Sequence, residues 1–265
     1  SRSSVFGRLI VNAAGPWVEE VLRGPLGIAS RTRVRLVKGS HVVVPRLYPR
    51  NNAYILQNPD RRVVFLIPFE DDYTLIGTTD VPIEDPSESL VISRGETEYL
   101  CAAASRFLKQ PVTPQNVVWS FAGIRALYDD GSANPSQVTR DYVLQLDRKE
   151  GSAALSIFGG KLTTYRRLAE KVLDKLRLLL PAMGPAWTAT KPLPGGDLGD
   201  VEDFARDLVS HHPALPAVWL RKMARRYGTL ANQVIGDARQ PADLGLHFGA
   251  GLYAREIDYL VRSEW

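Results

Sequence analysis

The stretch that most constrains this chain runs from Ser156 to Tyr165. An apolar run, Ala153–Phe158, enters the glycine pair Gly159-Gly160, followed by Lys161 and, after Leu162, by Thr163 and Thr164. Tyr165, Leu168, Ala169, Val172, Leu173, Leu176 and Leu180 then recur at helical spacing, which predicts a helix to about Leu180. Such a strand–turn–helix unit lets the backbone approach a ligand closely. It also presents free N–H groups at a helix start, a place that favours an anion such as phosphate. Lys161 adds a cation at that mouth. The stretch is not a P-loop, because Leu155 stands where that motif needs its first glycine and Leu162 where it needs Ser or Thr. A plain structural turn with an exposed lysine satisfies the same residues.

A chain of 265 residues can hold one large domain or two smaller ones. No apolar run reaches the roughly 18 residues needed to span a bilayer, and Ser-Arg-Ser-Ser-Val-Phe-Gly at the start lacks the apolar region of a secretory signal. The single cysteine, Cys101, excludes an internal disulfide and fits a reducing compartment; its setting, Tyr-Leu-Cys-Ala-Ala-Ala, reads as a packed thiol. Four histidines without a cysteine cluster give no zinc spacing, so no metal is expected, and His211-His212 reads as a surface pair. The net charge of +4 is spread along the chain without a dense basic block, which argues against nucleic acid. It suits a small phosphorylated ligand or an anionic membrane surface.

In chain order, Gly7–Trp17 reads as a buried strand running into a turn, then a helix from about Trp17 to Leu22. Opening abruptly on a core strand leads us to expect an upstream portion. Residues 33–80 read as antiparallel sheet, with strands at Val34–Val37, Val42–Val44, Ala53–Leu56, Arg62–Pro68 and Tyr73–Thr79. Turn chemistry at Pro49–Asn52, Asn58–Asp60 and Glu70–Asp72 separates them. Pro82–Pro86 reads as a loop. Ser93-Arg-Gly-Glu96 matches a capping box opening a helix to Leu108. Strands at Val117–Leu127, Thr139–Leu146 and Ala153–Phe158 follow. Beyond Pro181, a linker at Pro192–Gly196 leads to helices near 200–210, 214–227 (stopped by Gly228), 229–236 and 250–264. Gly249-Ala-Gly-Leu-Tyr-Ala254 matches a loose dinucleotide fingerprint, but no strand precedes it, and it reads as a helix start.

Four places interrupt apolar strands with polar or basic residues: Lys38-Gly-Ser-His41, Gly123-Ile-Arg125, Thr139-Arg-Asp141 and Lys161. Each alone is satisfied by solvent. Converging at one mouth of a sheet, they would form a site for an anionic small substrate, for which arginine's planar fork is suited.

Seven ordered motifs carry a family resemblance. Val11–Trp17, Val37-Lys-Gly-Ser-His-Val-Val-Val-Pro45, Leu75-Ile-Gly-Thr-Thr-Asp80 and Phe158-Gly-Gly-Lys-Leu-Thr-Thr-Tyr-Arg166 resemble the FAD-dependent, quinone-linked glycerol-3-phosphate dehydrogenases. Trp119–Arg125, Val138–Tyr142 and Gly184–Trp187 resemble the same family. The family's G-x-G-x-x-G fingerprint is missing before Val11, so the chain is expected to be the C-terminal half to two-thirds of a longer enzyme.

The resemblance implies an α+β fold with pieces of an FAD-binding α/β domain at residues 1–30 and 136–182. An antiparallel-sheet substrate domain at 31–135 and a helical C-terminal domain at 183–265 complete it. It implies that sn-glycerol 3-phosphate is oxidised to dihydroxyacetone phosphate, with hydride passing to flavin and electrons to a quinone. FAD would be lined by Asn12, Ala14, Gly15, Trp17, Gly123, Gly159, Gly160, Lys161, Leu162 and Thr163. Arg125 and Arg140 would clamp the phosphate, and Lys161 would favour negative charge developing on the reduced flavin. His41 would either take the alcohol proton or hydrogen-bond the phosphate. A cytoplasmic enzyme, peripheral on the inner membrane face, is implied, and a homodimer is compatible. The basic segment Leu220–Arg226 is a membrane-contact candidate, or simply a solvated face. Two rivals stay open: a related flavoprotein oxidising an amine or amino acid, and a non-catalytic binding fragment.

Overall fold

The structure, a computed structural model, describes residues 6–87, 90–129, 141–149 and 152–264. It separates into two compact units, Ser1–Pro181 and Ala182–Trp265. The first begins with β1 (Ile10–Asn12) and the short α1 (Val18–Arg23), then β2 (Val34–Pro45), β3 (Tyr54–Gln57), β4 (Val63–Phe69), β5 (Tyr73–Gly77) and β6 (Val81–Ile83). Next come α2 (Arg94–Ser105), β7 (Trp119–Tyr128), β8 (Tyr142–Lys149), β9 (Ser152–Gly159) and α3 (Tyr165–Leu176). The second unit holds α4 (Val201–His211), α5 (Ala217–Tyr227), α6 (Ala231–Ile235), the strands β10 (His247–Gly249) and β11 (Leu252–Tyr253), and α7 (Ala254–Tyr259).

Two sheets organise the first unit. The larger is antiparallel in the order β3-β4-β5-β2-β6, with β7 also paired to β2. The smaller runs β1-β9-β8; β1 lies parallel to β9, and β8 antiparallel to it. The fold is α+β with a predominantly antiparallel sheet, as read from the sequence.

One face of the large sheet is buried. Val42, Val44, Leu56, Val64, Leu66 and Ile76 pack against Leu100, Cys101, Ala103 and Ala104 of α2. Cys101 is thus a packed thiol, and burial pushes its pKa up. The capping box is formed: Ser93 Oγ accepts from Glu96 N (3.2 Å) while the Glu96 carboxylate accepts from Ser93 N (2.9 Å). In the second unit Trp219, Leu220 and Met223 of α5 pack with Ala205, Leu208, Val234, Ile235 and Leu244. The basic residues of α5 lie outside this core, where Arg225 pairs with Glu202 and Arg226 with Glu256. His211 is exposed, as a surface histidine should be.

Several elements differ from the sequence expectation. Lys38–His41 does not separate two strands; β2 runs unbroken through it, because Lys38 and Ser40 are satisfied by Glu96 on one face while His41 stacks on Phe121 on the other. The expected loop at Pro82–Pro86 is in part strand, since Val81, Pro82 and Ile83 pair with Lys38, Val37 and Leu36. The helix after the glycine pair ends as α3 at Leu176, four residues early, in a turn where Leu180 N still donates to Leu176 O at 3.0 Å. The region expected to be helical throughout 250–264 begins as a small hairpin. Gly249, Ala250 and Gly251 all take positive φ (101°, 50° and 79°), which a helix start forbids, and the helix opens only at Ala254. Thr139 and Arg140, expected at the head of β8, lie outside the described residues.

Leu220 is fully buried at the centre of the α5 packing. Leu220→Ala should therefore destabilise the second unit by about 2–5 kcal/mol, read as a lower midpoint in urea unfolding.

Candidate active site on the open sheet face

The pleat of β2 sorts its side chains. Successive residues point to opposite faces, so Lys38, Ser40, Val42 and Val44 share one face and Val37, Gly39, His41 and Val43 the other. The first face is the one covered by α2. Cross-strand register brings residues of β7 and β5 onto the second. Phe121 and Gly77 lie opposite His41, Gly123 opposite Gly39, and Arg125 opposite Val37.

On this second face His41 stacks flat on Phe121, with ring centroids 4.9 Å apart and planes 8° from parallel. Gly77 lets the imidazole lie close, because a Cβ there would run into the ring. His41 Nδ1 is buried without a hydrogen-bond partner. Burial, and secondarily the positive charge of Arg125, lower the His41 pKa below 6.5. The imidazole is therefore neutral at pH 7 and able to accept a proton.

Arg125 lies over Gly39, the one side chain size that leaves it room. Its Nη1 pairs with Asp80, and its Nη2 donates to Thr78 Oγ1 and to the Thr79 carbonyl, both at 2.9 Å. Among the described residues these contacts occupy three of its five N–H donors and fix the guanidinium. Beyond this pair the same face continues into Phe65, Ile67, Phe69, Tyr73 and Trp119, aligned by register and partly exposed.

The covered face holds the rest of the Lys38–His41 segment. Lys38 does not join Arg125. Its Nζ lies 2.9 Å from Glu96 Oε2, while Ser40 Oγ donates to Glu96 Oε1 at 2.7 Å. Burial by itself would raise the Glu96 pKa. Hydrogen bonds from Ser93 N, Ser40, Lys38 and Thr79 outweigh it and bring it down to about 2.

A second cluster of predicted residues gathers at the edge of the small sheet. β1 and β9 are parallel, with Asn12 opposite Ser156, so both strands turn at the same edge, where ligands of parallel sheets are bound. There β1 leads into Ala14, Gly15 and Trp17, and β9 into Gly159, Gly160, Lys161, Leu162 and Thr163. Gly159 takes φ +76°, and a Cβ on it would meet Asp141 O at 2.9 Å and Tyr128 N at 3.0 Å. Trp17, Lys161, Leu162 and Thr163 are exposed. Asn12 differs: it is buried, and its Nδ2 donates to Val18 O at 2.9 Å, bracing the turn instead of facing outwards. Strand β7 touches both clusters, carrying Phe121 and Arg125 in the large sheet and ending at Tyr128 beside Gly159. Arg140 lies outside the described residues.

Sequence reasoning missed Phe121, Gly77, Thr78, Asp80 and Glu96 as neighbours of the predicted residues. The motifs around them were visible, but which residues face each other depends on strand register. In the second unit, a cavity of about 390 Å³ lined by Gln233, Asp243, Arg255, Asp258 and Arg262 contains none of the predicted residues. Its Arg255 is consumed by Val234 O, Asp243 O and Asp237.

The histidine–arginine pair on the open face and the glycine turn at the ends of parallel strands both lie in the first unit, joined by β7. The profile of the family described as FAD dependent oxidoreductase matches residues 2–166, and the chain belongs to that family. Among curated relatives it is 46% identical over 264 residues to a glycerol-3-phosphate dehydrogenase of Pseudomonas aeruginosa, covering 99% of this chain and 52% of that protein. It is 43% identical over 260 residues to the aerobic glycerol-3-phosphate dehydrogenase of Escherichia coli and 44% identical to a D-erythritol 1-phosphate dehydrogenase of Brucella abortus. Each of these two alignments covers 97% of this chain and 52% of the relative. The chain thus spans about half the length of the curated relatives it matches. A crystal structure of the glycerol-3-phosphate dehydrogenase from Bacillus halodurans, complexed with FAD, superimposes with a TM-score of 0.77 at 29% identity. That match covers 97% of this chain and 50% of the other.

Two tests follow. An NMR titration of His41 should give a pKa below 6.5, moving upward in Arg125→Ala because one of its two depressing influences is gone. A depressed histidine makes its stabilising contribution fully above the unfolded value near 6.5 and loses it as pH falls through the folded value. Gly159→Ala should destabilise the first unit by roughly 1 kcal/mol or more, seen in thermal melts, because it adds a clash to a left-handed backbone.

Proposed function

We propose that this chain forms the substrate side of an FAD-dependent dehydrogenase. It would convert sn-glycerol 3-phosphate to dihydroxyacetone phosphate and deliver electrons to a quinone. The observation that carries this reading is the pair formed by a clamped Arg125 and a neutral His41 on one open sheet face. Its setting, in a chain 43–46% identical to proteins named glycerol-3-phosphate dehydrogenase, supports it.

FAD fits the residues present. Gly15 has open space where a Cβ would stand, Gly159 and Gly160 turn the chain through positive φ at the parallel strand ends, and Trp17, Leu162 and Thr163 lie exposed at that edge. FAD, when bound, supplies acceptance of the hydride from C2 of the substrate. The chain's own residues do the remainder. Arg125 offers its two remaining N–H donors to the phosphate, with Arg140 as a second cation for it. His41 accepts the proton of the C2 hydroxyl, for which a neutral imidazole is the required state. Lys161, exposed after the glycine pair, contributes positive charge on the flavin side. In this reading residues 1–30 and 136–182 belong to the FAD domain, 31–135 to the substrate domain and 183–265 to a helical domain.

A phosphorylated tetritol is the second substrate reading, favoured by the 44% identity to the D-erythritol 1-phosphate dehydrogenase. Attachment to membranes, if present, would be peripheral on the cytoplasmic side. Among the described residues no helix is long and apolar enough to cross a bilayer.

The experiment is a flavin absorption spectrum between roughly 370 and 450 nm with added FAD, followed by turnover with an artificial acceptor. Glycerol 3-phosphate, erythritol 1-phosphate and sarcosine are compared in the polypeptide containing this chain. Turnover of sarcosine alone would overturn the proposal. Arg125→Ala should raise KM for the phosphorylated substrate roughly ten- to a hundredfold, the worth of charge-assisted hydrogen bonds to phosphate. An unchanged KM removes Arg125 from the phosphate site.

A further inference from the structure

We infer that Glu96, on the far side of the sheet from the site, is the residue that positions it. The inference rests on the substrate reading above for its kinetic consequence, though not for its structural one.

Glu96 is 8% exposed, and all of its acceptor capacity is used. Oε1 accepts from Ser40 Oγ at 2.7 Å and Thr79 Oγ1 at 2.8 Å; Oε2 accepts from Ser93 N and faces Lys38 Nζ, each at 2.9 Å. Thr79 and Ser40 are themselves joined, since Ser40 N donates to Thr79 Oγ1 at 2.9 Å. One carboxylate therefore ties together the middle of β2, the segment following β5 and the first turn of α2.

Both tied segments carry the site on their other side. Ser40 lies between Gly39, over which Arg125 rests, and His41. Thr79 lies between Thr78 and Asp80, and among the described residues these three supply the hydrogen-bond partners of the Arg125 guanidinium. The Thr79 hydroxyl is bound to Glu96 while its carbonyl receives Arg125. The position of the clamp is therefore set from behind the sheet, across a single peptide unit. Glu96 does not touch the substrate face; it is a positioning residue, acting through Thr79 and Ser40. Helix capping alone does not account for this arrangement, because the capping role uses only the contact with Ser93.

The test compares Glu96→Ala, Glu96→Gln and Ser93→Ala in the flavin-loaded polypeptide containing this chain. Ser93→Ala removes the cap of the same helix without touching Ser40 or Thr79. Two readouts are taken: deuterium uptake in a peptide spanning Gly77–Asp80, and KM against kcat for glycerol 3-phosphate. Glu96→Ala should speed exchange in that peptide and raise KM roughly tenfold, with a smaller change in kcat, because small displacements of binding groups are costly. Glu96→Gln, which keeps one acceptor oxygen, should fall between wild type and alanine on both readouts and serves if the alanine variant does not fold. Ser93→Ala should lower the melting temperature but leave exchange at Gly77–Asp80 and KM as in wild type. Unchanged exchange in both Glu96 variants overturns the inference. So does a Ser93→Ala effect on exchange and KM equal to that of Glu96→Ala. Failure of the wild type to oxidise glycerol 3-phosphate would strike the substrate reading alone, since the exchange measurement needs no substrate.

Discussion

The ten consecutive residue pairs between β2 and β7, from Val34–Tyr128 to Val43–Trp119, are the constraint on which the rest of the first unit depends. Because the side-chain period of a strand is two, that register decides which residues meet. It lays Phe121 beside His41 and puts Arg125 on the same face. A slip of one residue would turn Arg125 into the apolar face under α2 and bring Ile124 out in its place. The apolar face holds the register in return, since Val42 and Val44 must remain against Leu100 and Ala104.

Within that frame the polar residues divide by face. Lys38 and Ser40 point inward to Glu96, while Gly39 and His41 point outward to Arg125 and Phe121. A buried carboxylate is costly unless fully satisfied, and Glu96 is satisfied by two hydroxyls, a backbone N–H and an ammonium. The outward histidine is left with an unpartnered buried Nδ1 beside a fixed positive charge. The Lys38 charge is thus spent on Glu96 behind the sheet, while on the other face Arg125 is held by Asp80, Thr78 and Thr79 beside the histidine.

The small sheet supplies the other half of the arrangement. Parallel β1 and β9 end together, so the turns at Gly15 and Gly159 share one edge, and β7 runs from the arginine to that edge. Glycine is demanded at Gly159 by a left-handed backbone and two close backbone neighbours, which is why the motif reads so clearly in one dimension.

Local signals were therefore legible. The capping box at Ser93, the glycine turn after Phe158 and the strand runs of residues 33–80 all depend on neighbours a few residues away. So did the individual residues His41, Arg125 and Lys161, each an interruption of an apolar pattern. Pairings across 17 to 144 residues were not legible: Thr79 with Ser40, Glu96 with both, Arg125 with Asp80, and Asn12 with Ser156. The same is true of Lys38, which the sequence shows only as part of a polar interruption between apolar runs and which is an internal ion pair in the fold. By itself the sequence determined which residues could do chemistry and where most strands and helices lie. Only the tertiary structure decided which of those residues share a face, because strand register is set by the burial of a whole sheet and not by the residues at the site.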